Sequence, residues 1–391
     1  MNIARARNPA DSSALLVHAS ASPALRRAAL WGLVAAKMLA GWGLQWDIQW
    51  HVRIGRDSFW IAPHVMTYAG VGAVVLLSFG ILAWDTWRHR RAPAAGDAIT
   101  VLRITGTPGF HLAAWGIALT VLAAPIDDLW HRLFGVDVTI WSPPHLLGLL
   151  GSLINTAACL IIAREVYPQG GMARTAAVVV NAALLLGGLI TICQPAFRLA
   201  YLHGGVAFHL YAILGAALFP LAHVTAARLS GLRTAPVLVL VMSVAIGITG
   251  TQIARVGFEM LRPVSVIEEE IAKDPTSPIA VANAIARKNG ERPGVRTLAL
   301  QVRSLIPVLA LVVLDPRRRP VTSTVAYGLM LLATTGWALA HSPAFAPMAP
   351  DAGPTLIALI LTILAALAAA AATRWLSTAF AASSPGRSTP E

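Results

Sequence analysis

The feature that most constrains this chain is a series of apolar runs about 20 residues long, separated by short polar or basic connectors. A run of that length matches one helical crossing of the hydrocarbon core of a bilayer. Ten are predicted, at 28–50, 62–87, 110–131, 143–163, 173–193, 204–227, 235–255, 298–314, 321–341 and 354–375. Gln301, Arg303 and Asp315 leave the eighth only a short apolar core, so nine spans and one re-entrant or interfacial segment is the alternative. The expected fold class is all-α, a polytopic integral membrane helical bundle surrounded by lipid. Of the 391 residues 56% are hydrophobic and 12% charged, which excludes a soluble globular enzyme.

The remaining chain is read around those spans. Residues 1–24 form a polar N-terminal segment, and the run that follows reaches Trp46, too long for the apolar part of a cleaved signal peptide. Residues 25–165 hold two helical hairpins, 166–258 spans without an assigned role, 259–297 a loop, 298–377 the C-terminal spans and 378–391 a disordered tail. The net charge of +12 is scattered over connectors, so it is read as topology and not as a nucleic-acid surface. Arg26, Arg27, Arg88, Arg90, Arg91, Arg228, Arg233 and Arg317 to Arg319 fall on one side if the spans alternate. The positive-inside rule makes that side cytoplasmic, with both termini, in an inner membrane. Trp42, Trp46, Trp50, Trp60, Trp130 and Trp141 crowd the opposite ends as interface anchors. The loop at 259–297 is then an outer-face segment with short amphipathic helices, read as a solvated connector, with a lid or partner surface as the alternative.

Polar chemistry concentrates in an internal repeat. WDIQWHVRIGRDSFWIAPH at 46–64 and IDDLWHRLFGVDVTIWSPPH at 126–145 align across one inserted residue. Each has Asp, then His four residues on (Asp47 and His51; Asp127 and His131), and each closes on Pro-His (His64; His145). Residues i and i+4 share a helix face, so each Asp-His pair projects together from the outer end of a helix. A short turn then returns the chain, with the Pro in the first turn of the next helix and its His facing back. Each hairpin converges one carboxylate and two imidazoles, a three-ligand set with open positions that suits copper, iron or zinc. Cys159 and Cys193 both lie in apolar runs, so no cysteine-based metal site is available.

Other readings stay open from the residues alone. The Asp-His pairs can be hydrogen-bonded interfacial residues, and Arg53, Arg56 and Arg132 can answer the acids without a metal. Asp57 and Asp137 read as turn or cap residues, and Asp128 as an orienting neighbour or alternative ligand. His203 and His209, with His341 also near an outer helix end, form either a degenerate third site or ordinary structural histidines.

The double hairpin resembles the C subunit of particulate methane monooxygenase and of the related ammonia and short-chain hydrocarbon monooxygenases. Trp50-His51, Arg56-Asp57-Ser58 and His64 reproduce the context of that family's first metal site, with Asp47 as its acid and the second histidine thirteen residues after the first. Asp127, His131 and His145 match the spacing of the second, with Asp where the family has Asn. The resemblance covers about residues 43–150 and leaves the six later spans without a counterpart. It implies a copper-dependent membrane monooxygenase component that hydroxylates a small apolar substrate, with Asp47, His51 and His64 catalytic and all six residues metal-binding. It also implies other monooxygenase-type subunits, or copies of this chain, as partners. A copper-binding or copper-transfer membrane protein without catalysis, using the same ligands with Met66, Met242 and Met260, is the alternative function.

Overall fold

The computed structural model describes residues 22–55, 58–91, 98–134, 140–193, 199–294 and 303–382, with the side chains of His131 and of residues 379–382 not among them. It is an all-α bundle. The helices are α1 (Pro23–Arg53), α2 (Ala62–Arg91), α3 (Pro108–Phe134), α4 (Pro143–Val166), α5 (Met172–Cys193), α6 (Leu210–Ser230) and α7 (Ala235–Leu261). After these come α8 (Ile267–Lys273), α9 (Pro278–Lys288), α10 (Leu305–Leu314), α11 (Pro320–Ala340) and α12 (Ala352–Ala382). A two-stranded hairpin, β1 (Ile99–Val101) with antiparallel β2 (Ile104–Gly106), joins α2 to α3.

Among the described residues, eight helices are long and apolar enough to cross a membrane, against the ten spans predicted. The two differences have separate causes. α10 has only 10 residues, about 15 Å or half a hydrocarbon core, so the short core of the eighth run weighed more than its flanks. α1 has 31 residues, ample length, but Lys37, Gln45, Asp47 and Gln49 lower its apolarity. These polar groups are answered inside the protein. Lys37 Nζ lies 3.2 Å from Thr156 Oγ1 and 3.4 Å from Cys159 Sγ, and Gln45 Nε2 donates to the Gly247 carbonyl at 3.1 Å and Thr251 Oγ1 at 2.8 Å. The sixth predicted span opens as a 3-10 turn, Gly205–His209, before α6 begins.

Residue-to-residue ties fix how the helices run. Arg26 pairs with Asp85 at 2.8 Å, joining the start of α1 to the end of α2, and Arg27 Nε donates to the Val166 carbonyl at the end of α4. α1 runs parallel to α7, with Trp42 Nε1 donating to the Ile246 carbonyl at 3.0 Å and Arg53 stacked 4.2 Å over the Phe258 ring. α3 and α4 are antiparallel, since Asn155 Nδ2 reaches the Ala113 carbonyl at 2.6 Å and Thr120 Oγ1 the Gly148 carbonyl at 3.0 Å. One end of the bundle therefore gathers the arginine-rich helix ends. The opposite end holds the turn of each hairpin.

Candidate metal centre

Close backbone approach is what brings the first hairpin's polar residues together. A Cβ on Gly43 would lie 2.5 Å from Thr67 Oγ1 and 2.7 Å from the Thr67 nitrogen, and one on Gly70 would lie 2.5 Å from the Ala40 nitrogen. Only glycine lets α1 and α2 cross this closely. Gly43 stands one turn before Asp47 and Thr67 one turn after His64, so the crossing seats acid and imidazole side by side. Beyond Arg53 the chain reverses at Gly55, whose φ of +78° suits glycine, and a Cβ there would meet the Ile267 backbone at 3.2 Å.

The result is a convergent set. Asp47 Oδ1 lies 3.0 Å from His64 Nε2 and 3.4 Å from His51 Nδ1, with side-chain exposures of 17%, 19% and 21%. One ligand atom from each of Asp47, His51 and His64 falls within 4.8 Å of the others, the only such triad of His, Cys, Asp or Glu among the described residues. An ion with ligands at about 2.0–2.1 Å sets neighbouring ligand atoms about 2.9–3.4 Å apart, the range of the two contacts that Asp47 makes. His51 Nδ1 also sits 3.0 Å from the Asp47 carbonyl oxygen. It can donate there and orient the ring, leaving Nε2 to ligate, or lose its proton and ligate directly.

The helix end that carries these groups is held from two sides. Trp46, Trp50, Ile54 and Ala254 form a small separate core with Met66 and Phe258 against it; Trp50 stacks on Phe258 at 5.8 Å. The chain after α7 then binds the last carbonyls of α1. Val266 N–H donates to Ile54 at 2.8 Å, Ser265 Oγ to Arg53 at 2.7 Å and Asn283 Nδ2 to Val52 at 3.1 Å. The segment expected as a connector is largely exposed, with no buried residue in α8, and it also supplies donors to the end of α1, where the carbonyls of a helix C-terminus need them.

The second hairpin repeats the plan. His145 Nε2 lies 3.2 Å from Asp127 Oδ1, the same pair of atoms as in the first, at exposures of 32% and 31%. Both closing histidines are the third residue of their helix. Even the crossing is kept with the glycine exchanged: Ala123 stands where Gly43 does and Gly148 where Thr67 does, with the Ala123 Cβ 3.4 Å from a Cβ built on Gly148. The His131 side chain, and Arg56, Asp57 and Asp137, lie outside the described residues. Asp128 pairs with Arg132 at 2.7 Å on the exposed surface, so it does not face Asp127's partner as an alternative ligand.

His203 is exposed and His209 buried beside Phe208, and neither belongs to a cluster of three metal-ligating side chains among the described residues. His341 Nδ1 contacts its own helix at the Trp337 carbonyl. What the sequence reading missed is an aromatic flank: Tyr68 lies 5.8 Å from His64, Phe59 5.0 Å from Tyr68 and Trp60 4.8 Å from Phe59, with Phe59 and Trp60 exposed. Tyr68 is four residues after His64 on α2, so helical spacing alone would have found it. Compared with known proteins, the chain matches no family model, no curated protein and no solved structure.

Proposed function

We propose that this chain is a membrane-embedded copper protein, a component of an oxygen-dependent monooxygenase that hydroxylates a small apolar substrate. The observation that carries the reading is the convergence of Asp47, His51 and His64 inside a 4.8 Å cluster. Support comes from the duplicated Asp127–His145 contact and from the resemblance of both hairpins to the C subunits of copper membrane monooxygenases. Imidazole with carboxylate suits copper, and iron or zinc less selectively. Copper, when bound, supplies the one-electron chemistry with oxygen that an unactivated C–H bond requires.

The chain's own residues have separate tasks in this reading. Asp47 balances the charge of the cation, His51 and His64 set its open face, and the Asp47 carbonyl orients the His51 ring. Asp127, His131 and His145 hold a second ion. Tyr68, Phe59 and Trp60 give an apolar approach beside His64 for a substrate that partitions into lipid. The hairpin turns face the outer side of an inner membrane, with the arginine-rich end and both termini in the cytoplasm. Other monooxygenase-type subunits or further copies of this chain complete the assembly.

Oxygen uptake tests the reading. Membranes carrying the chain and its partners are expected to consume oxygen on addition of a short alkane, and His64→Ala to abolish this while the protein still accumulates. Copper bound at the same residues without substrate-dependent uptake would instead make this a copper-binding or copper-transfer protein.

A further inference from the structure

Lys37 stands near the middle of α1, about 15 Å along the helix from Arg27, whose contact with Val166 lies at the arginine-rich end of the bundle. It is only 9% exposed, and no carboxylate pairs with it among the described residues. An ammonium held at that depth without a counter-charge is costly, so the groups around the nitrogen decide its state. Both of its partners are on α4. Thr156 Oγ1 gives its own proton to the Ser152 carbonyl at 2.7 Å, so towards Lys37 Nζ, 3.2 Å away, it accepts. Cys159 Sγ lies 3.4 Å from the same nitrogen and is fully buried. Thr156 and Cys159 share one helix face at i and i+3, so the first holds the amine against the sulfur of the second. Cys193 is equally buried but has no amine within hydrogen-bond reach among the described residues.

This contact has a chemical consequence. An amine in hydrogen-bond reach can take the thiol proton, and the thiolate is the form that oxidants attack. One oxygen atom placed between nitrogen and sulfur joins them covalently. The nitrogen is then of the hydroxylamine type and uncharged at neutral pH, which removes the cost of burying an ammonium.

We propose that Lys37 and Cys159 are a modification site at which dioxygen, an apolar gas that enters the membrane interior, joins Nζ to Sγ in an N–O–S bridge. One N–H bond and the S–H bond break, and N–O and O–S bonds form to the same oxygen atom. The second oxygen atom leaves as water with both protons. Nitrogen and sulfur give up two electrons each, and dioxygen takes all four. The bridge ties α1, which carries Asp47 and His51, to α4, which carries His145, and uses none of those ligands.

Intact mass and peptide mapping of the purified full chain test this, in air and after hydrogen peroxide, two equivalents of which accept the same four electrons. Wild type is expected to gain about 14 Da, one oxygen added and two hydrogens lost, with the peptides containing residues 37 and 159 recovered as one species. The unfolded chain should then show one titratable thiol, that of Cys193, and dithiothreitol should restore the second and the original mass. Lys37→Leu should leave both thiols titratable and the two peptides separate. A wild type that keeps two thiols and separate peptides under peroxide would overturn the proposal. So would oxygen carried by Cys159 alone, as a sulfinic acid about 32 Da heavier. Should Lys37→Leu fail to accumulate, Cys159→Ser carries the same comparison, with the linked species expected only in wild type.

Discussion

Asp47 shows how much can rest on one side chain. It is a largely buried carboxylate near the end of α1, where an unanswered charge is costly, and two imidazole nitrogens lie 3.0 and 3.4 Å from it. Asp47→Asn keeps the shape and removes the charge. Under the proposed copper reading, affinity for copper is expected to fall more than the roughly 10- to 100-fold typical of losing an outer-shell partner, read by competition with a chelator. A second carboxylate makes a different prediction. Arg317 donates to Asp315 at 2.9 Å and holds its carboxyl down at about 2, below the ordinary value of about 3.9. The stabilisation from this clasp is present above the ordinary range and is lost as pH falls towards 2. The melting midpoint of wild type should therefore drop more steeply across that window than that of Asp315→Asn. The residues of the candidate centre were legible because duplication repeats special residue types at fixed spacing. The pairing of Asp128 with Arg132 was legible too, since the two stand at i and i+4 and an arginine there can answer the acid without a metal.

Among the elements, the α1–α2 crossing determines whether the residue-level chemistry can occur. Gly43→Val would press a branched side chain against Thr67 and part the helices where Asp47 must meet His64. We expect a loss of about 1–3 kcal/mol of stability and reduced copper retention, whereas the same change at Gly72, which faces open space, should leave copper retained. The clamp from the α7–α10 connection is the second element-scale device. Asn283→Ala would remove the donor to the Val52 carbonyl and cost about 1–2 kcal/mol, measured by chemical denaturation in detergent. Such a clamp could not be read from sequence, because Ser265 and Arg53 lie 212 positions apart and the bonds run to backbone oxygens that carry no sequence signal. The β1–β2 hairpin escaped for the opposite reason. Its strands have three residues each, and the turn places Leu102 and Arg103 at φ of 50° and 64° without the glycine that usually announces it.

Over the whole molecule, the two ends differ in charge and in chemistry. Arg26, Arg27, Arg88 and Arg91 collect at one end, and the Asp-His hairpin turns with α8 and α9 occupy the other. Labelling tests that division directly, because Cys159 and Cys193 are both buried and give little background. A cysteine at Thr276 should react with a membrane-impermeant reagent from one side of the membrane only, and one at Arg90 from the other. The apolar runs made the bundle legible as a class. They could not settle how far α1 and α10 take part in crossing, since that depends on polar groups whose partners sit on distant helices, as Lys37 does with Thr156.

The most direct test of the central claim is copper content and EPR on the purified chain, in wild type and in a His51→Ala, His64→Ala double variant. The account predicts bound copper with nitrogen hyperfine coupling in wild type, and loss of that signal from the first hairpin in the double variant, with copper at Asp127, His131 and His145 retained. Wild type that binds no copper, or a double variant with unchanged copper and spectrum, would contradict it.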